Sequence, residues 1–216
     1  MKVIAFNGSP RKTWNTATLL QQALDGAASV GAETEMVHLY DLQMTGCKSC
    51  FTCKLAGGKN YGKHCVIKDD LYPYWEKIEN ADAIILGSPI YIGNLTSQIR
   101  GLIERLLYPY AEYDANHTRT FPRTVPVGII YTMNVSAEQF KTEPYGLSFV
   151  EDSLALTCGP VEKLYSFETF QFTDYSKYVC PIFDPEERAR IREERWPIDC
   201  QKAFEMGSRL AQFNQK

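Results

Sequence analysis

Four cysteines in the first third of the chain have a spacing that suits metal chemistry. Cys47, Cys50 and Cys53 follow the pattern CxxCxxC, and Cys65 comes next along a glycine-containing segment. Thiolates at such a spacing are the ligands that a [4Fe-4S] cluster or a zinc ion requires. Thiols that pack as small apolar groups fit the same pattern. The spacing therefore leaves three alternatives open: an iron-sulfur cluster, a zinc ion, or no metal.

A second group of polar residues suits a phosphate. Between positions 8 and 16 the chain reads GSPRKTWNT, which offers the hydroxyls of Ser9 and Thr16 and the guanidinium of Arg11. The free amides at the start of the helix that follows also attract anions. The segment has neither GxGxxG nor GxxxxGK[ST], which disfavours a dinucleotide clamp and a nucleoside triphosphate loop. The alternative is a polar surface turn in which Asn15 caps the helix.

The tripeptide Gly-Ser-Pro occurs a second time at 87–89, and an aromatic residue and a glycine follow it. A rigid proline, Tyr91 and Gly93 together suit the surface of a flat conjugated ring. A third segment, YTMN at 131–134, follows a strand in the same way and is expected on the opposite side of that ring. The alternative for the second segment is a turn whose Tyr91 packs on the helix below.

The segments between these loops predict the elements that position them. Short β-prone apolar runs predict five strands, at 2–7, 34–39, 81–86, 125–132 and 161–167. Apolar positions at helical spacing predict helices between the strands and a closing helix from Pro185 that breaks near Pro197, because proline lacks the amide donor. This alternation implies a parallel sheet with helices on both faces. Ligands bind such a sheet at the carboxyl ends of its strands, so we expect both Gly-Ser-Pro turns at one edge.

Three stretches together resemble a known family. GSPRKTWNTATLL, CKSCFTCK and GSPIYIGNLTSQIRGLIERL are similar to segments of the flavodoxin-like NAD(P)H-dependent FMN reductases, near their iron-sulfur flavoprotein branch. The resemblance covers roughly residues 1–135 and implies an α/β fold, a flavodoxin-like three-layer sandwich with a central parallel sheet of about five strands. We expect one FMN-binding domain over 1–216, with a cysteine-containing loop at about 43–68 and a C-terminal helical extension at about 185–213.

The resemblance also implies which residues bind the cofactors. The FMN phosphate would be held by Ser9, Arg11, Asn15 and Thr16. The isoalloxazine ring would be contacted by Pro89, Ile90, Tyr91, Ile92, Gly93 and Asn94, and on its other side by Thr132 and Met133. A [4Fe-4S] cluster would be bound by Cys47, Cys50, Cys53 and Cys65, although the fourth cysteine comes later here than in the iron-sulfur flavoproteins.

Two functions follow from the resemblance. In the first, the protein is an enzyme in which NAD(P)H gives a hydride to FMN and a small-molecule or protein acceptor then takes the electrons. In the second, FMN, alone or with the cluster, carries electrons between protein partners. A redox sensor that regulates a partner is a third alternative. No catalytic side chain is assigned because the flavin carries the chemistry. A homodimer or homotetramer is expected.

Composition sets limits on partners and location. The formal net charge of −3 and the pI of about 5.7 provide no basic field for a polyanion, so we expect no nucleic-acid partner. No apolar run approaches the roughly 18 residues needed to span a bilayer, so no membrane segment is expected. The apolar run after Lys2 is too short for a signal-peptide core, which predicts a cytoplasmic protein. In a reducing compartment the seven cysteines are expected to be mostly thiols, metal ligands or redox groups, and their odd number disfavours a complete disulfide framework.

Overall fold

Five parallel strands form the centre of the fold. The computed structural model describes residues 1–142 and 146–213, so residues 143–145 and 214–216 of the predicted 1–216 domain lie outside the described residues. The sheet has the order β2-β1-β3-β5-β6, and a short β4 pairs antiparallel with the end of β3. The strands are β1 Lys2–Asn7, β2 Glu33–His38, β3 Ala83–Tyr91, β4 Asn94–Leu95, β5 Val127–Thr132 and β6 Val161–Ser166.

Helices cover both faces of this sheet. They are α1 Asn15–Ser29, α2 Tyr74–Asn80, α3 Ser97–Leu107, α4 Ala137–Thr142, α5 Leu147–Thr157 and α6 Pro185–Ala211. The order of the five parallel strands is that of the flavodoxin-like fold, in which the chain switches direction between β1 and β3. The predicted three-layer sandwich is therefore confirmed. None of the described helices is long and apolar enough to cross a membrane.

The strands are apolar on both faces because each face is buried. In β1, Val3 and Ala5 point into the core beneath α1 and α6, whereas Ile4 and Phe6 point into the core beneath α2, α3 and α5. Edge strand β2 is less buried than β1, as its alternating sequence predicts. This burial on both faces is typical of parallel sheets covered by helices.

The two Gly-Ser-Pro tripeptides lie side by side, as predicted, and their glycines permit close packing. The Gly8 N–H donates to the Gly87 carbonyl at 2.8 Å. A Cβ at Gly8 would lie 2.1 Å from Cγ1 of Ile99 on α3, and one at Gly87 would lie 2.5 Å from Cδ1 of Leu20 on α1. Gly8 therefore lets α3 pack against the first tripeptide, and Gly87 lets α1 pack against the second.

Two predicted element boundaries were wrong. The third strand was expected to end at Leu86, but β3 continues to Tyr91, because residues 88–91 pair with β5 and with β4. The helix from Pro185 was expected to break near Pro197, but α6 is continuous to Ala211. Residues on both sides of the proline are held by packing, since Ile191 and Met206 are both buried. The φ of proline is compatible with a helix, so the cost comes from the missing hydrogen bond and from the clash of the ring with the carbonyl four residues earlier.

Candidate functional site

Three strand-end loops converge on one cavity at the carboxyl edge of the sheet. It has a volume of about 260 Å³ and lies beside the switch point between β1 and β3, where ligands of such sheets bind. Of the twelve residues predicted for the flavin, eleven line it: Ser9, Arg11, Asn15, Thr16, Pro89, Ile90, Tyr91, Ile92, Gly93, Thr132 and Met133. Asn94 does not line the cavity; its side chain accepts a hydrogen bond from the backbone N–H of Leu95.

A larger groove lies at the opposite, amino edge of the sheet. Its volume is about 780 Å³, and charged side chains line much of it. Several of these are already paired, since Lys77 contacts Glu35 at 2.7 Å and Arg123 contacts Asp82 at 3.0 Å. The smaller cavity is the candidate site, because its polar groups converge at the strand ends.

Buried polar residues shape the first loop. Asn7 is fully buried at the end of β1; its Oδ1 accepts from the Ser9 N–H at 3.0 Å, and its Nδ2 donates to the Ser9 carbonyl at 3.3 Å. The Ser9 hydroxyl accepts from the Arg11 N–H at 3.1 Å. The Thr16 and Thr132 hydroxyls lie 2.8 Å apart and join this loop to the end of β5.

Helix α1 begins inside this loop with its first amides uncapped. Trp14, rather than Asn15 or Thr16, occupies the N-cap position, and its side chain accepts no capping hydrogen bond. The first turn also contains no acidic residue. The positive end of the helix therefore faces the cavity region without a built-in anion, which suits a bound phosphate.

The segment after β6 covers the same loop and was not predicted to contribute. Arg11 Nη1 donates to the Gln171 carbonyl at 2.7 Å, and Trp14 Nε1 and Asn15 Nδ2 donate to the Phe170 carbonyl at 3.0 and 2.9 Å. Five residues that line the cavity were not among the twelve assigned to the flavin: Trp14, Asn134, Val135, Thr169 and Gln171. Trp14 and Asn134 belong to loops that the sequence analysis did single out, whereas the other three lie outside them. The rule that ligands bind at strand ends would have found Thr169 and Gln171, because they follow β6.

The second loop is the tight turn between β3 and β4. Ile90 pairs with Leu95 and Tyr91 with Asn94, which leaves Ile92 and Gly93 at the tip with φ of +50° and +72°. A β-branched residue is strained in this left-handed region, and Ile92 is also fully exposed. Burial raises the pKa of Tyr91. The turn therefore extends the cavity wall outwards as an apolar rim.

The four predicted metal-ligating cysteines line a second, much smaller cavity. Its volume is about 20 Å³, close to that of one water molecule. Cys53 and Cys65 are buried, whereas Cys47 and Cys50 are exposed. Over residues 1–142 and 146–213, no three His, Cys, Asp or Glu side chains are grouped closely enough to hold a metal ion. The thiols thus share one cavity without forming a closed metal site.

Hydrogen bonds distinguish these thiols from one another. A hydrogen bond from the Thr52 hydroxyl lowers the pKa of Cys50, whereas burial raises the pKa of Cys53. Arg105 Nε donates to the Cys65 sulfur at 3.4 Å. The four thiols fit a [4Fe-4S] cluster in number and kind. Between 43 and 68 the only regular element is the 3-10 turn Thr52–Lys54, so opening the loop for a cluster would break no helix or strand.

A comparison with known families identifies the family to which the chain belongs. The model of the family described as NADPH-dependent FMN reductase matches residues 1–137. The chain belongs to this family. The resemblance inferred from the motifs is therefore confirmed. In this FMN reductase family member, the matched region contains the loops after β1, β3 and β5 and the cysteine loop.

Curated relatives place the chain near the iron-sulfur flavoproteins. It is 42% identical over 105 residues to an iron-sulfur flavoprotein of Archaeoglobus fulgidus, covering 49% of this chain and 48% of the relative. It is 41% identical over 105 residues to an iron-sulfur flavoprotein of Methanocaldococcus jannaschii, covering 49% of this chain and 51% of the relative. The chain spans about half the length of the curated relatives it matches.

Solved structures with little sequence identity share the fold. NAD(P)H:quinone oxidoreductase from Methanothermobacter marburgensis superposes with a TM-score of 0.66 at 16% identity, over 97% of this chain and 98% of that one. An FMN-dependent NADH-azoreductase from Bacillus anthracis in complex with FMN superposes with a TM-score of 0.66 at 11% identity, over 98% of this chain and 100% of that one. A flavodoxin from the domain Archaea superposes with a TM-score of 0.54 at 13% identity, over the full length of both chains.

The cavity of this family member fits FMN in the chemistry of its lining. One side carries the donors of the first loop together with the Thr16 and Thr132 hydroxyls, and the other carries apolar groups such as Pro89, Ile90 and Met133. A molecule that joins a phosphate to a flat ring system needs both kinds of surface. Membership of the family and the flavoprotein relatives support FMN as the cofactor.

Proposed function

We propose that this protein is an FMN-dependent oxidoreductase that takes a hydride from NAD(P)H and reduces a small-molecule or protein acceptor. The observation that carries the proposal is the convergence of loops after β1, β3 and β5 on one cavity, which has a side rich in hydrogen-bond donors and an apolar side. The family membership and the strand-end position support it.

In this proposal the chain's own residues bind and orient the cofactor. Ser9, Arg11, Asn15 and Thr16, with the free amides of α1, hold the phosphate. Residues 89–93 lie along the ring, and Thr132 and Met133 lie on its other side. FMN, when bound, supplies the hydride and electron chemistry, so the chain needs no acid, base or nucleophile of its own.

The shape of the cavity favours a flavin that is reached from solvent. Its volume of about 260 Å³ is below the roughly 300–1,000 Å³ of small-molecule pockets, so part of a bound flavin would lie outside it. The rim residues Tyr91 and Ile92 are exposed and apolar. A ring held between residues 89–93 and the Thr132 and Met133 side is reached through the mouth of the cavity, where a nicotinamide or a flat acceptor can approach it.

Anaerobic reduction separates the enzyme from the electron carrier. The purified full chain is loaded with FMN and mixed with NADH or NADPH while the flavin absorbance is followed. Bleaching on a catalytic timescale with either nucleotide is expected for the reductase. No bleaching with either, while dithionite still reduces the bound flavin, would reject the reductase and favour the carrier. Failure to take up FMN would reject both.

We further propose a [4Fe-4S] cluster on Cys47, Cys50, Cys53 and Cys65, because all four thiols line one cavity. The test is iron and acid-labile sulfide in anaerobically purified protein, expected at about four of each per chain. The Cys53→Ser variant should lose both, and Cys180→Ser, a cysteine far along the chain, should keep them. Absence of iron and sulfide in the parent protein would end this proposal, and zinc in their place would favour a single ion.

The assembly and the acceptor are part of the proposal as well. We propose a homodimer or a homotetramer, to be measured by light scattering of the FMN-loaded chain. Quinones, nitro or azo compounds, metal ions, free flavin and protein partners are the acceptor classes to compare once bleaching by a nucleotide is established.

A further inference from the structure

Arg192 connects the C-terminal helix to the candidate phosphate loop. It lies on α6, outside residues 1–137 that the family model matches. Its Nη1 donates to Oδ1 of Asn15 at 2.9 Å, across a sequence separation of 177 residues. Its guanidinium also stacks on the ring of Trp196, with 3.6 Å between Cζ and the ring centroid. The side chain is therefore fixed on two sides.

The positive charge of Arg192 has no carboxylate partner within ion-pair distance in the described part of the chain. Its neighbours on the same helix do pair: Arg190 with Glu194 at 3.4 Å and Arg195 with Glu168. Burial lowers the pKa of Arg192, although a guanidinium remains charged at neutral pH. A half-buried cation without an anion is costly, so a bound anion nearby would be stabilised by it.

The hydrogen bond from Arg192 determines how the Asn15 amide faces. Arginine has donors and no acceptor, so only Oδ1 of Asn15 can face it. The Nδ2 group then points the other way, where it donates to the Phe170 carbonyl at 2.9 Å. Asn15 itself lines the cavity in which the phosphate is proposed to bind. The Nδ2 group carries two hydrogens, of which the Phe170 carbonyl accepts one, so Asn15 held in this orientation has one further donor to offer a phosphate.

We propose that Arg192 is a positioning residue that gives the site its preference for the phosphorylated flavin. It orients the Asn15 amide as a donor, and its charge acts on the phosphate through Asn15. The inference rests on the proposed FMN site and adds the C-terminal helix to it. Riboflavin has the same ring without the phosphate. The ratio of FMN affinity to riboflavin affinity therefore separates an effect on phosphate recognition from general damage to the pocket, which would weaken both.

The test compares FMN and riboflavin dissociation constants, from flavin fluorescence, in the full chain and in its variants. Arg192→Gln is expected to weaken FMN binding about tenfold, as for one lost charge-assisted hydrogen bond, and to change riboflavin binding less than about twofold. Arg192→Lys keeps the charge without the planar guanidinium, so its FMN dissociation constant should lie between those of the parent chain and Arg192→Gln. Arg190→Gln, on the exposed face of the same helix, should change neither constant.

Two results would overturn the inference while the parent chain still binds FMN. One is an unchanged FMN constant in Arg192→Gln, and the other is an equal loss for FMN and riboflavin, which would mean that Arg192 only supports the fold. If Arg192→Gln does not fold, the same ratio in Arg192→Lys decides, and an unchanged ratio overturns the inference. A parent chain that takes up no FMN would overturn the proposed function and this inference together.

Discussion

Arg11 is the exposed cation of the candidate phosphate loop that lines the cavity, and little of the fold depends on it. Its guanidinium contacts the Gln171 carbonyl and lies 5.4 Å from the centroid of the Trp14 ring. We expect Arg11→Ala to weaken FMN binding about tenfold, because a charge-assisted phosphate contact is lost, and to leave the free energy of unfolding within about 0.5 kcal/mol. Isothermal titration calorimetry and urea unfolding measure the two effects.

Lys12→Ala is the matched control for this experiment. Lys12 is the next residue, but its Nζ contacts Asp41 at 2.7 Å instead of lining the cavity. Its replacement should change neither FMN affinity nor stability by more than the small contribution of a surface ion pair. Equal FMN affinity in the parent chain and Arg11→Ala would remove Arg11 from the phosphate site.

Arg105 fastens the cysteine loop to α3 with a buried ion pair. It is fully buried, and Asp69 accepts from both of its terminal nitrogens at 2.6 and 3.0 Å. Burial raises the pKa of Asp69, but the hydrogen bond and charge of Arg105 outweigh it and hold the pKa below its usual value. We expect Asp69→Asn to reduce the free energy of unfolding by about 3–5 kcal/mol at neutral pH, because the Arg105 charge stays buried without its partner.

The pH dependence of this loss has a definite sign. A carboxyl with a depressed folded-state pKa stabilises the protein above its unfolded pKa, about 3.9, and loses that contribution as the pH falls through the folded value. The difference between the parent chain and Asp69→Asn should therefore be full above about pH 5 and shrink below pH 4. Urea unfolding at several pH values measures it, with Asp70→Asn as an exposed control. A difference that stays constant down to pH 3 would contradict the ion-pair account.

At the scale of elements, α1 and α6 pack closely enough to require glycine at their contact. A Cβ at Gly207 would lie 1.7 Å from the Ala23 carbonyl oxygen, and one at Gly26 would lie 1.8 Å from the Phe204 carbonyl oxygen. Because both obstacles are backbone atoms, no side-chain movement relieves the overlap. The separation of the two helices is thus set by two glycines, and this separation also holds Arg192 against Asn15.

We expect Gly207→Ala to lower the free energy of unfolding by about 1–3 kcal/mol, despite the better helix propensity of alanine, because the helices must move apart. Gly146→Ala is the control, since no atom of the described residues beyond its chain neighbours lies within 4 Å of the added Cβ. Thermal and urea unfolding measure both variants. An increase in stability for Gly207→Ala would show that the helices separate without cost.

At the scale of the whole molecule, the fold has two cores on opposite faces of one sheet, and α6 completes one of them. Ala203, Met206, Leu210 and Ala211 pack with the apolar side of α1 beneath β1, β3 and β5. Burying Met206 and Leu210 contributes roughly 1.5–3 kcal/mol each, against a typical total stability of 5–15 kcal/mol. The region that the family model matches therefore lacks a helix that its own sheet requires.

We accordingly predict that a chain ending at residue 184 neither unfolds cooperatively nor binds FMN, although it retains every strand and the three strand-end loops. Circular dichroism during urea unfolding and FMN fluorescence measure the two properties. A chain ending at residue 184 that unfolds cooperatively and binds FMN with the affinity of the full chain would show that α6 is dispensable, and Arg192 with it.

Local sequence determined much of this protein. The apolar runs and the repeated Gly-Ser-Pro specified which segments form strands and which edge the loops share, because alternation and turn chemistry act over a few residues. Tertiary structure decided the rest. Pro197 stays helical because residues on both sides of it are packed. Phe170, Gln171 and Arg192 contact the first loop from more than 150 positions away. Such contacts arise only when the sheet brings distant segments together. The strand-end rule indicates the segment after β6, but no local pattern encodes its partners in the first loop.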